Sequence, residues 1–201
     1  MPTVDFAISW DYRCPFARNL HEHVVTALEA GAPWNVTWWP FSLNQVHVAE
    51  GEPDVWDDPS KAESLLAMQI GISARDRWPD AFPKLHVALF AARHDEGRDI
   101  REEDVLREVI GARGLDADEV LAEARQAETL ERFRKEHERG VADHNLWGVP
   151  TIVIDGQAAF IRVMHRPQGD AEVARSTVDR LLDLTRGWPD LNEFKHTSIA
   201  R

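Results

Sequence analysis

The residues best placed to do chemistry are Cys14, the only cysteine of the chain, and the Pro15 that follows it. They stand in the run Asp11-Tyr12-Arg13-Cys14-Pro15-Phe16-Ala17-Arg18, between an apolar alternating stretch and a helix-like one. A strand that enters a helix through a Cys-Pro turn holds the thiol over the helix N-terminus. Free backbone N–H groups and the positive end of the dipole there favour a thiolate. The chemistry on offer is nucleophilic attack on a disulfide or another electrophile. Arg18 lies one turn on, on the same side of the helix, and Arg13 is adjacent. Either guanidinium could steady the thiolate or grip a substrate carboxylate with two hydrogen bonds. Three residues beyond Cys14, where a dithiol site would carry its second cysteine, stands Ala17. No internal disulfide can form, so any mixed disulfide at Cys14 must be resolved by an external thiol.

The elements that must position this thiol can be read along the chain. Val4 to Trp10 alternates as a half-buried strand does, and an apolar stripe predicts a helix from Cys14 to about Ala30, stopped by Gly31. A second strand follows at Asn35–Phe41. The acidic run Glu50–Pro59 reads as a linker. Five helices are then expected. The first starts at a Ser60-x-x-Glu63 capping box and stops at Gly71 after Ile70. The others cover about 80–94, 101–112, a segment opening at Asp116, and 129–143. Thr151–Ile154 and Ala158–Val163 read as strands joined by the turn signal Asp155-Gly156. A last helix is expected over 170–185. The order is β-α-β, a helical block, then β-β-α. The expected organisation is one α/β unit from residues 1–48 and 145–201, split by a helical insertion at 49–144.

Composition narrows the function classes. With 35 acidic against 23 basic residues the net charge is −12, which disfavours nucleic-acid and anionic-membrane partners. Thr3–Trp10 is too short for a secretory apolar core and contains Asp5. No run approaches transmembrane length, and with one reduced thiol the chain reads as cytoplasmic. No spacing among the nine histidines matches a metal site, so no metal is expected. Leu85, Leu89 and Phe90 read first as helix core. The aromatic surplus leaves room for a homodimer face.

The element order, with Cys14-Pro15 at the first helix and Val149-Pro150-Thr151 at the third strand, resembles the thioredoxin fold. The helical block makes it similar to the DsbA-like branch. Cys14-Pro15-Phe16-Ala17-Arg18, Trp39-Pro40-Phe41-Ser42-Leu43, Ala88-Leu89-Phe90-Ala91-Ala92-Arg93-His94 and Trp147-Gly148-Val149-Pro150-Thr151 resemble the FrnE-like and mycothiol-dependent nitroreductase groups. The resemblance implies that Pro150 is cis beside Cys14 and that the Val149 backbone pairs with a bound peptide or thiol. It makes Cys14 the catalytic residue, and Pro15, Phe16, Arg18, Trp147, Val149, Pro150 and Thr151 the residues that bind the thiol or substrate. It further implies an oxidoreductase with no tightly bound cofactor. Its co-substrate would be a low-molecular-weight thiol, mycothiol or glutathione, and its substrate a small or peptide disulfide or electrophile. Kappa-class glutathione transferases and 2-hydroxychromene-2-carboxylate isomerases also resemble this plan. In that reading Cys14 assists a bound cofactor thiol. The third reading is a non-catalytic binding module.

Overall fold

The computed structural model describes residues 3–196 and 199. The outermost residues of the expected 1–48 and 145–201 segments lie outside that range. β1 (Val4–Trp10) buries Phe6, Ile8 and Trp10 and leads into α1 (Pro15–Glu29). β2 (Trp34–Pro40) returns parallel to β1, with Ser9 opposite Trp39. β3 (Thr151–Ile154) lies antiparallel on the other side of β1, and β4 (Gln157–Phe160) closes the sheet in the order β2-β1-β3-β4. Asp155 and Gly156 both take positive φ, 50° and 76°, as the tight hairpin between β3 and β4 demands. β4 is shorter than the expected 158–163 strand. Arg162 and Val163 follow it as irregular chain, while the Val163 carbonyl accepts from Asn19 of α1 at 2.9 Å.

Between β2 and β3 lie a short α2 (Leu43–Val46), a single 3-10 turn (Pro59–Lys61), and α3 (Ala62–Arg77), α4 (Phe82–His94), α5 (Glu103–Gly111), α6 (Ala117–Ala124) and α7 (Ala127–His144). Asp116 caps α6 as its sequence implies, accepting from the backbone of Asp118 and Glu119. The expected Ser60/Glu63 box does not form. Asp58 caps the 3-10 turn instead, and α3 starts after Lys61 without a side-chain cap. α3 also does not stop at Gly71. Every residue from Leu65 to Ala74 is buried, so this helix is the spine of the helical block, and burial outweighs the roughly 1 kcal/mol that an interior glycine costs. Arg75 at its end donates to both carboxylate oxygens of Glu136 (2.7 and 2.8 Å) and to the Trp38 carbonyl (2.8 Å), tying α3 to α7 and β2.

Two apolar cores result. In one, α1 and α8 (Ala171–Gly187) pack on the sheet through Phe6, Ile8, Leu20, Val24, Ile152, Val178 and Leu182. In the other, Trp10, Tyr12, Cys14 and Phe41 join the buried residues of α3 to α7. The turn that carries the thiol is therefore built into the same core as the helical block. Leu85, Leu89 and Phe90 lie wholly inside that core.

Candidate active site

Cys14 is the N-cap of α1. Its sulfur accepts from the Ala17 backbone N–H at 3.4 Å, as a capping hydroxyl would, and Pro15 fills the first helical position, where no N–H is missed. On its other side the thiol donates to the Val149 carbonyl at 3.1 Å. The Val149–Pro150 bond is cis, and both residues are buried. Two motifs separated by 135 positions thus meet at one hydrogen bond.

The loop opposite the thiol is held by its neighbours. Thr151 N–H donates to Ser9 Oγ at 2.9 Å, and Thr151 Oγ1 donates to the Gly148 carbonyl at 2.9 Å. Gly148 presses on Phe160. A Cβ at Gly148 would stand 3.2 Å from that ring. Trp147 leans on the same ring, tilted by 39° with 4.4 Å between centroids, and is 64% exposed.

The turn before Cys14 is fixed by groups to which the sequence reading assigned no role. The buried Asp11 carboxylate accepts from Arg13 N–H and Leu43 N–H, each at 2.8 Å. Tyr12, wholly buried, donates its hydroxyl to His86 Nδ1 at 2.8 Å. His86 Nε2 then faces His21 Nδ1 at 2.8 Å, and His21 Nε2 faces the Ser9 carbonyl at 3.0 Å. A carbonyl only accepts, so His21 carries its proton on Nε2, His86 donates from Nε2, and Tyr12 donates to His86. The chain Tyr12→His86→His21→Ser9 closes with both rings neutral. His94 Nε2 donates to the Tyr12 carbonyl at 2.9 Å from the end of α4.

Electrostatics at the sulfur departs from the sequence expectation in two respects. Burial pushes the Cys14 thiol up from its ordinary value. The Ala17 and Phe16 N–H groups and Arg162 pull it down and the Asp11 charge adds to the rise, and burial prevails. The free chain holds a protonated thiol that is 7% exposed, not the lowered pKa that a helix N-terminus alone would produce. The second departure concerns Arg18. Its guanidinium is ion-paired with Asp95 and donates to Asn19 at 2.9 Å, and Arg166 joins Asp95 at 3.2 Å and Glu22 at 2.6 Å. Arg18 therefore braces α1 against the end of α4 and is taken up there. The cation whose field reaches the thiol is Arg162, held over the rings of Phe16 (5.1 Å) and Phe160 (5.4 Å). It escaped the sequence reading because it lies past a strand end, far from either motif. The one available signal was its two-residue spacing from Phe160.

Beyond the turn, a cleft of about 1060 Å³ opens between the α2 region and the ends of α3 and α4. Arg13, Asn44, Lys61, Arg93, His94 and Arg101 are among its lining residues, and Cys14 is not. Its walls mix these polar groups with Val48, Val55, Ala67 and Ile100, and the apolar α4 residues Leu85, Leu89 and Phe90 are core. Among the described residues no group of His, Cys, Asp and Glu could hold a metal, and no helix is long and apolar enough to cross a membrane.

Residues 4–166 match the family model of the DSBA-like thioredoxin domain. This chain belongs to that family. It is also 30% identical over 175 residues to the uncharacterized protein Rv2286c of Mycobacterium tuberculosis, covering 83% of this chain and 70% of that one. Among solved structures, reduced DsbA1 from Neisseria meningitidis superposes with a TM-score of 0.59 at 18% identity, covering 92% of this chain and 85% of the other. Pseudomonas aeruginosa DsbA does so at 0.59 and 16%, over 93% and 88%. A 2-hydroxychromene-2-carboxylate isomerase reaches 0.61 at 17%, over 91% and 98%. At these identities the structures share the fold with this chain. Ala17 occupies the first turn of α1 and is wholly buried.

Proposed function

We propose that this protein is a thiol-dependent oxidoreductase that works by a monothiol cycle through Cys14, with an external low-molecular-weight thiol, mycothiol or glutathione, as the resolving partner. The observation that carries the reading is the meeting of the Cys14 sulfur with the Val149 carbonyl at 3.1 Å, over the start of α1. In the first step the Cys14 thiolate attacks one sulfur of a disulfide RS–SR. The Cys14–S–S–R bond forms, the S–S bond breaks, and RS⁻ leaves and takes up the proton that Cys14 lost to solvent. An external thiolate R′S⁻ then attacks the R sulfur, giving RS–SR′ and returning the Cys14 thiolate. Ala17 makes that second, intermolecular step obligatory. Pro15, Phe16, Trp147, Val149, Pro150 and Thr151 form the walls around the reacting sulfur, and Arg18 acts at one remove by bracing α1. The resemblance to the FrnE-like and mycothiol-dependent groups favours mycothiol, and the cytoplasmic reading rests on the single cysteine. A homodimer remains part of the proposal on the aromatic surplus alone.

A second reading is favoured by the raised, donating thiol. A protonated Cys14 could offer its S–H to the thiolate of a bound cofactor thiol and never become covalent, in the manner of a transferase or isomerase. The likeness to the isomerase structure supports keeping it. Incubation with glutathione disulfide followed by intact-mass measurement tests the first reading. One glutathionyl adduct that external thiol removes, and that Cys14→Ser abolishes together with turnover, is the expected result. No adduct at any pH up to about 9.5, one unit above an ordinary cysteine pKa, would sink the covalent cycle. Turnover that survives in Cys14→Ser would establish the second reading.

A further inference from the structure

An unbroken row of side chains runs beside the thiol from the cis-proline loop to the first turn of α1. Trp147 leans on Phe160 with ring centroids 4.4 Å apart. Arg162 lies over Phe160 at 5.4 Å and over Phe16 at 5.1 Å. Trp147 and Arg162 are exposed, and Phe16 and Phe160 are half-buried. Two rings cover the guanidinium of Arg162, which fixes its plane and leaves its N–H edge to solvent. Among the described residues no carboxylate engages it, although the chain has 35 acidic residues to 23 basic ones. Its neighbours in the fold are spoken for: Arg18 by Asp95 and Asn19, Arg166 by Glu22 and Asp95. An oriented, unpaired guanidinium beside a thiol, flanked by exposed aromatic surface, suits a carboxylate on a small molecule whose apolar part lies on the rings.

We propose that Arg162, on its Phe16–Phe160 seat, is a recognition site for the carboxylate of a small thiol or disulfide and selects anionic substrates for Cys14. The inference rests on the reactive-thiol reading and supplies its substrate class. A carboxylate-bearing thiol such as glutathione meets the requirement. Mycothiol, which has no carboxylate, gains nothing from it, so of the two resolving thiols this inference selects glutathione against the one the resemblance favours. The rest of the protein opposes anions through its net charge of −12, so a preference for them at Cys14 would have a local origin.

The test compares two alkylating reagents of near-equal size, anionic iodoacetate and neutral iodoacetamide. Cys14 is the sole target, so the ratio of their rate constants can be measured on the native chain and on the same chain in urea. The expected native ratio is about fivefold above the unfolded one, the size of one charge pair a few ångströms apart in water, and it shrinks with added salt. Arg162→Gln should return the ratio to the unfolded value, and Arg162→Lys should keep most of it. A change in the thiolate fraction slows both reagents alike and leaves the ratio untouched. A native ratio at or below the unfolded one, or one that Arg162→Gln leaves in place, overturns the proposal while the thiol reading stands. Labelling by neither reagent until the chain unfolds removes the thiol reading, and this inference with it. As a substrate arm, the adduct from glutathione disulfide should form more slowly in Arg162→Gln, with the adduct from neutral hydroxyethyl disulfide changed less. Equal slowing of both would also overturn it.

Discussion

Lowering the pH from 6.5 toward 4 should unfold this protein cooperatively, and the cause lies chiefly in three of its four buried imidazoles. His21 and His86 are wholly buried, and His137 nearly so. Burial holds His21 and His137 down to about 4 and His86 well below its ordinary value. The geometry agrees. His21 Nδ1 accepts from His86, His86 Nδ1 accepts from Tyr12, and His137 Nδ1 accepts from Ser42 N–H at 3.1 Å. Protonating any of these nitrogens would set two donors face to face. A base whose folded pKa lies below its unfolded value stabilises the fold fully above the unfolded pKa, about 6.5. That stability is lost as the pH falls through the folded value, here about 4. Near pH 5 the unfolded chain binds about three more protons at these sites than the folded one, a slope of about 4 kcal/mol per pH unit. For His21 alone the full loss is about 3 kcal/mol. Urea unfolding followed at intervals from pH 7 to 4.5 should show stability falling most steeply between about 6 and 4.5, above the range where most carboxylates titrate. While the chain remains folded, the His21 and His86 ring proton signals should keep their neutral shifts down to about pH 5, a unit above the folded His21 value. Titration of either ring near 6.5, or a flat profile across the window, would refute the account.

The sequence carried the scaffold well because scaffold signals are local. Strand alternation in Val4–Trp10, the Asp155-Gly156 turn and the Asp116 cap each depend on a few adjacent residues, and each stands as read. The pairing of Cys14 with Val149-Pro150 was legible only through resemblance, since nothing in either segment encodes its partner. The misreadings share one source. Local rules make Gly71 a helix stop, offer Arg18 to the thiolate or a substrate carboxylate, and lower the Cys14 thiol. In each case tertiary structure decides otherwise: the burial of α3 from Leu65 to Ala74 at Gly71, Asp95 on Arg18, and the packed core around Cys14. Nor could spacing disclose the Tyr12–His86–His21 chain, which joins residues 74 and 65 positions apart.

Gly71→Ala, a substitution that helix propensity alone would favour by about 1 kcal/mol, should instead destabilise the protein and loosen the Cys14 turn. Gly71 lies in the buried middle of α3, and a Cβ there would run into Tyr12 Oη and stand 3.1 Å from the Tyr12 ring. The phenol has nowhere to retreat. It is wholly buried, bonded to His86 at 2.8 Å, and packed on Phe90 with ring centroids 4.8 Å apart. Overpacking of this kind costs about 1–3 kcal/mol. Displacing the hydroxyl leaves His86 Nδ1 buried without a donor, for a further cost of about 1–3 kcal/mol. Less the propensity gain, a net loss of about 1–5 kcal/mol is expected from urea unfolding. Tyr12 is two residues from Cys14, and its carbonyl is held by His94, so a shifted phenol moves the turn on which the thiol sits. Gly71→Ala should therefore also change the rate of Cys14 alkylation under conditions where the chain remains folded. The double variant Gly71→Ala with Tyr12→Phe separates the causes, because it removes the clashing oxygen. If the clash is the cause, the alanine costs far less in the Tyr12→Phe background than in the native one, a coupling of about 1–2 kcal/mol. Equal costs in the two backgrounds would mean that α3 excludes a side chain at position 71 for some reason other than the phenol, and that the thiol turn does not depend on this contact.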